Sequence, residues 1–247
     1  MSKRNSTPRQ PTLSGRLALI TGANRGIGLA VARALAREGC HLIITGRDQR
    51  ALAKARAELE KLNVQVLAHF CDVRSPDSVD CLFALVRGLH KPLDILINNA
   101  GIGHPNRTVG NLPYPTWMEV IDTNLTGLFL VTQAALAVMR RGGTIVNNLS
   151  IAAERVFPGS AAYNASKHGA LGFTNTLREE LRPKGIRVIA LMPGATDTAI
   201  WDTLWPKAPR RKMMSAETVA RTVVEALLLP TNTTVEKIVV MPSAGTL

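Results

Sequence analysis

At 247 residues, 46% hydrophobic and 19% charged, the chain carries enough apolar material for one sizeable core, which excludes disorder over most of its length. Its formal charge of +12 suits anionic ligands in general, but no recognition motif or basic–aromatic stripe accompanies the charge, so no nucleic-acid partner is expected. Cys40, Cys71 and Cys81 show no CxxC or Cys/His spacing, so neither a metal site nor a disulfide framework is expected, and a reducing cytoplasm is the expected setting.

Residues 1–12 hold Lys3, Arg4, Arg9 and two prolines with no acidic residue, and are read as a flexible basic tail. No hydrophobic stretch follows those charges, as a secretory signal requires, and no apolar run reaches the roughly 18 residues that span a bilayer, so no membrane partner is expected. Residues 13–247 are read as a single domain. Apolar, β-branched runs predict strands at Leu17–Thr21, His41–Thr45, Val64–Phe70, Leu93–Asn98, Gly143–Leu149, Ile186–Met192 and Lys237–Met241. Helical spacing fills the intervals at Gly26–Glu38, Asp48–Leu62, Ser75–Leu89, Thr116–Arg140, Ala161–Arg182 and Ala216–Leu229. Strand–helix alternation of this kind predicts an α/β fold, a Rossmann-type doubly wound parallel sheet of about seven strands with helices on both faces. Ligands of such sheets bind beyond the C-terminal strand ends, where every motif below falls.

The first strand runs through Gly22-Ala23-Asn24-Arg25-Gly26-Ile27-Gly28 into a helix. Gly22 permits the tight turn, Gly26 lets the backbone approach a pyrophosphate, and Gly28 lets helix and strand pack closely. The helix N-terminus offers unpaired N–H groups to phosphates, so this is a candidate dinucleotide site. The second strand ends in Gly46-Arg47, where a carboxylate would serve a ribose 2′-hydroxyl. Arg25 and Arg47 would instead grip a 2′-phosphate, so NADP(H) is expected over NAD(H). Asp72 and Val73 after the third strand are candidates for the adenine, and Asn99, Ala100 and Gly101 follow the fourth strand at the same edge.

Tyr163 and Lys167 stand one turn apart on a predicted helix face. A nearby ammonium favours the phenolate, which equips a tyrosine to pass protons near neutrality. Ser150, ending the fifth strand, is placed to hydrogen-bond a substrate oxygen beside Tyr163.

Thr21-Gly22-x-x-x-Gly26-x-Gly28, Asn98-Asn99-Ala100-Gly101, Ser150, Tyr163-x-x-x-Lys167 and Pro193-Gly194, in that order, resemble the short-chain dehydrogenase/reductase family from roughly Ser14 to Met241. The resemblance implies an NADP-dependent oxidoreductase, with Tyr163 as acid/base, Ser150 polarising the substrate carbonyl, Lys167 holding the nicotinamide ribose, and Asn124 anchoring a water in the proton relay. It further implies that Pro193, Gly194, Thr196 and Thr198 touch the nicotinamide amide. The 3-oxoacyl-carrier-protein reductases are the subgroup most resembled. Thr196 stands where the family often has valine, and the C-terminus lacks the paired glycines frequent in that subgroup. Reduction of a ketone or 3-oxoacyl group is therefore the expected direction. Oxidation of an alcohol at the same site is the alternative, and a non-catalytic NADP sensor or scaffold the last.

Residues 198–214, with Trp201, Leu204, Trp205, Met213 and Met214, sit where a substrate lid is expected, and Lys207, Arg210, Arg211 and Lys212 on it would tolerate an anionic substrate. The family resemblance and the apolar surplus on Thr116–Arg140 and Ala161–Arg182 predict a homotetramer or homodimer.

Overall fold

The computed structural model describes residues 12–246; the expected tail lies, apart from Thr12, outside them. Strands β1 (Leu17–Ile20), β2 (His41–Gly46), β3 (Val66–Phe70), β4 (Leu93–Asn98), β5 (Met139–Asn148), β6 (Arg187–Pro193) and β7 (Lys237–Val240) form one sheet in the order β3-β2-β1-β4-β5-β6-β7. Every pairing is parallel. The reversal of strand order between β1 and β4 opens the crevice in which such sheets bind ligands.

Alternation along the strands builds a core on each face. In β1, Ala18 and Ile20 join the cluster formed with helices α1 (Gly26–Arg37), α2 (Gln49–Leu59) and α8 (Ala216–Leu227). Leu17 and Leu19 face the other way, toward α3 (Pro76–Gly88), α5 (Gly127–Leu136) and α6 (Ala161–Leu181). Side chains cap α2, α3 and α8: Asp48 accepts from the Ala51 N–H, Ser75 from that of Ser78, and Ser215 from that of Thr218. Helix α1 has no such cap, because its N-cap position is Arg25. Its first-turn N–H groups are therefore left for a bound group.

Two expectations need correction. The single helix expected over Thr116–Arg140 is α4 (Tyr114–Ile121), a π turn at Asp122–Thr126, and α5, with Met139 and Arg140 already in β5. The π turn adds a residue without breaking the apolar pattern, so periodicity runs on through it. Its consequence is local: Asn124 turns inward, accepting from the Ile102 N–H at 2.8 Å and donating to the Ile102 carbonyl at 2.9 Å. In the lid segment, which contains the short helix α7 (Trp201–Leu204), Met214 packs into the main core and is no part of a substrate wall.

Candidate active site

The C-terminal strand ends open into a cleft of about 870 Å³. At one end is the glycine turn. Gly22 has φ +63°, and an added Cβ would lie 3.0 Å from the Ala100 Cα, so backbone of the β1 and β4 turns packs where a side chain would stand. The Thr21 hydroxyl accepts from the N–H groups of Asn99 and Ala100 at 2.9 and 3.0 Å, and the Asn99 amide donates to the carbonyls of Thr21 and Gly22 at 2.9 and 3.0 Å. Thr21 is thus a site residue that its motif position did not reveal: its hydroxyl ties the two turns together.

Arg25 and Arg47 are exposed, line the same end of the cleft, and take part in no ion pair among the described residues. Asn24 packs against Gly46 beside them. Asp72 also lines the cleft, but both its oxygens are engaged by the Arg74 guanidinium at 2.7–3.1 Å, which holds its carboxyl below the ordinary value. The Val73 side chain is buried against Gly127, which leaves its backbone to line the cleft. Arg74, absent from the expected set, is detectable only through this pairing.

Ser150, Tyr163 and Lys167 meet on the cleft floor. Lys167 is buried; its Nζ donates to the Asn148 carbonyl at 3.0 Å and lies 5.6 Å from the centroid of the Tyr163 ring. Burial lowers its pKa to about 8. Burial also pushes the Tyr163 phenol above its ordinary value, with the Ser150 hydroxyl pulling the other way. The expected depression of the phenol by the lysine is not among the influences on it in this structure. The Ser150 Oγ accepts from the Ala152 N–H at 3.1 Å, which orients the hydroxyl at the start of a tight turn. Asn124 donates to the Ser166 hydroxyl at 3.0 Å, and Ser166 in turn donates to the Tyr163 carbonyl at 2.8 Å. Asn124 thereby fastens the Gly101–Ile102 turn to the helix that carries the tyrosine.

Past β6, the Gly194 N–H donates to the Val240 carbonyl at 2.7 Å, and Pro193, Gly194, Thr196 and Thr198 line the cleft. The Thr196 hydroxyl is turned back to the Gly194 carbonyl at 3.0 Å, while the Thr196 carbonyl accepts from the Trp201 indole at 2.9 Å. Thr198 reaches over the glycine turn, its Cγ2 3.3 Å from where a Cβ on Gly26 would stand. Arg210 clasps this loop, donating to Asp197 at 2.8 Å, to the Thr198 carbonyl at 2.6 Å and to Asp202 at 2.6 Å. It is thus not free to receive an anionic substrate, as the sequence had suggested. Leu204 covers Gly103, its Cγ 2.7 Å from a Cβ there, so α7 closes down on the cleft.

Comparison with known proteins agrees with this geometry. Residues 16–209 match the family model described as short chain dehydrogenase. The chain belongs to the short-chain dehydrogenase/reductase family. Members are oxidoreductases acting on alcohol and carbonyl groups, and this chain is one of them. It is 38% identical over 186 residues to a 3beta-hydroxysteroid dehydrogenase of Mediterraneibacter gnavus, covering 75% of this chain and 67% of the relative. An alcohol dehydrogenase from the archaeon Thermococcus sibiricus, solved with 5-hydroxy-NADP, superposes with a TM-score of 0.87 at 30% identity, over 93% of this chain and 97% of the other. A variant of actinorhodin polyketide ketoreductase with NADPH gives a TM-score of 0.83 at 32% identity, over 95% and 99% of the two chains. Among the described residues, no helix is long and apolar enough to cross a membrane and no metal-ligating cluster exists.

Proposed function

We propose that this short-chain dehydrogenase/reductase is an NADPH-dependent carbonyl reductase in which Tyr163 donates the proton. The observation that carries the reading is the convergence of Ser150, Tyr163 and Lys167 on the floor of the cleft whose other end holds Arg25, Arg47 and the uncapped start of α1. These residues fit NADP(H): the N–H groups opening α1 suit the pyrophosphate, and two exposed guanidiniums suit a 2′-phosphate. Asp72 and the Val73 backbone would border the adenine. Asn99, Ala100 and Gly101 would flank the adjoining ribose, and Pro193, Gly194, Thr196 and Thr198 the nicotinamide amide. The solved relatives named above carry NADP-type dinucleotides, which supports the assignment.

When bound, the dinucleotide supplies or withdraws a hydride. The protein's own work is to hold the substrate oxygen between the hydroxyls of Ser150 and Tyr163 and to move a proton at the Tyr163 oxygen. Lys167 keeps an ammonium beside the ring, and Asn124 fixes the helix on which both stand. Oxidation of an alcohol is the same path reversed, with Tyr163 accepting the proton.

The test is NADPH consumption with a panel of ketones and 3-oxoacyl thioesters, with Tyr163→Phe run beside wild type. The variant is expected to lose roughly a hundred- to ten-thousand-fold in kcat while binding NADPH as before. Wild-type activity surviving in the variant overturns the assignment. A homodimer or homotetramer is part of the proposal, supported by the half-exposed Phe129 of α5, which meets Phe173 of α6 edge-on at 6.1 Å. A monomeric mass in light scattering counts against it.

A further inference from the structure

The charged side chains that line the cleft are distributed unevenly. Arg25, Arg47, Asp48 and Asp72 lie at the ends of β1 to β3, and Glu119 is tied to that end through Arg74 at 3.4 Å. Lys167 is buried in the floor. Beyond Ser150 and Tyr163, the walls are built from Ile151, Phe157, Trp201, Leu204 and Trp205, and the polar groups among them are neutral hydroxyls and an amide.

The cations close by do not line this end of the cleft. Arg210 is committed to Asp197 and Asp202. Arg155 is exposed and reaches the Thr246 hydroxyl at the rim at 2.5 Å, and Arg107, bridged to Ser160, is exposed as well; neither lines the cleft. Lys207, Arg211 and Lys212 are exposed and do not line the cleft. Apart from Lys167, no cation among the described residues thus lines the substrate end. A carboxylate or phosphate placed there would lose its water and find no partner, which is a heavy penalty, whereas an apolar group gains from leaving water.

On the reductase reading, we infer that the substrate is an uncharged ketone whose apolar body lies between Phe157 and the Trp201–Trp205 segment, with its carbonyl at Ser150 and Tyr163. Ketones with a carboxylate on that body are poor substrates. The chemistry is the reduction already proposed: the bound dinucleotide would supply the hydride for the new C–H bond, the carbonyl π pair becomes the O–H pair with the Tyr163 proton, and a proton from solvent restores the phenol.

The test measures kcat/KM, with saturating NADPH, for a matched pair: methyl 4-acetylbenzoate and 4-acetylbenzoic acid, which differ by one ionised carboxylate. The ester is expected to exceed the acid by at least about tenfold, reflecting the cost of an unpaired buried charge. Trp205 is half exposed, so Trp205→Arg is expected to fold, and Phe157→Arg is a second variant on the opposite wall. Either is expected to raise the acid-to-ester ratio at least about threefold by supplying the missing partner. Equal or better turnover of the acid, or a ratio unmoved by both variants, overturns the inference while leaving the reductase reading intact. NADPH binding with no turnover of either overturns that reading and this inference with it.

Discussion

The side-chain amide of Asn99 occupies the space that a Cβ on Gly28 would need, with the Gly22 carbonyl 2.5 Å from the same point. The third glycine of the turn is thus required by another loop: without its vacancy, Asn99 could not reach the carbonyls of Thr21 and Gly22. Gly28→Ala must push that amide out and break both bonds. The expected cost is about 1–3 kcal/mol of stability, together with weakened NADPH binding. Urea unfolding and NADPH titration of Gly28→Ala, Asn99→Ala and the double variant check this. The double variant should lose less than the sum of the singles, because the singles break the same contact; strict additivity would refute the link.

The fold was legible in the sequence because its signals are local. Seven apolar strands, their intervening helices and the glycine turn each announce themselves within a dozen residues, and all seven strands are found. Tyr163 and Lys167 were likewise legible as a one-turn pair. The π turn at Asp122–Thr126 was not, since its register is set by Asn124 bonding to Ile102 across the cleft. The bonds of Arg74 to Asp72 and of Arg210 to Asp197 and Asp202 were also hidden, because nothing in a run of charges says which of them meet. Such pairings decide which cations remain to receive a ligand, so charge counts alone misassigned Arg210.

The two arginines that do remain at the cleft, Arg25 and Arg47, are the proposed readers of the 2′-phosphate. A charge-assisted bond from a guanidinium to phosphate contributes about 1.5–3 kcal/mol. Arg47→Ala should therefore lower kcat/KM for NADPH by roughly ten- to a hundredfold and leave NADH nearly unchanged; Arg25→Ala should act in the same sense. Steady-state kinetics with both dinucleotides decide the matter, and equal losses with each would show that the arginines do not read the 2′-phosphate.

Arg210 holds the cleft's cover through two carboxylates and a carbonyl. Its replacement by alanine should change global stability by less than about 1 kcal/mol, because the pairs are largely at the surface. Locally the effect should be larger. Amide exchange across residues 198–205 should accelerate, and KM for the ketone should rise more than kcat falls. Unchanged exchange there would mean that the indole bond of Trp201 to the Thr196 carbonyl suffices to hold the segment.

Three buried groups set the alkaline stability profile with opposite signs. Burial lowers Lys167 from 10.5 to about 8, and raises Cys40 from 9.0 to about 12 and Cys71 from 9.0 to about 11. Between about pH 8 and 9 the unfolded chain keeps a lysine proton that the folded protein has shed, so stability rises with pH by up to about 1.4 kcal/mol per unit. Above pH 9 the unfolded chain sheds two thiol protons that the fold retains, against the one it keeps on the lysine. The balance reverses, and stability falls by about 1.4 kcal/mol per unit. The raised phenol of Tyr163 steepens that fall once the unfolded chain passes pH 10. Urea midpoints from pH 7.5 to 10.5 should therefore peak near about pH 9. The double variant Cys40→Ala, Cys71→Ala should keep climbing past that point, and Lys167→Met should lose the rise below it. A wild-type profile flat across this range would show that the lysine and the thiols are not buried as the fold places them.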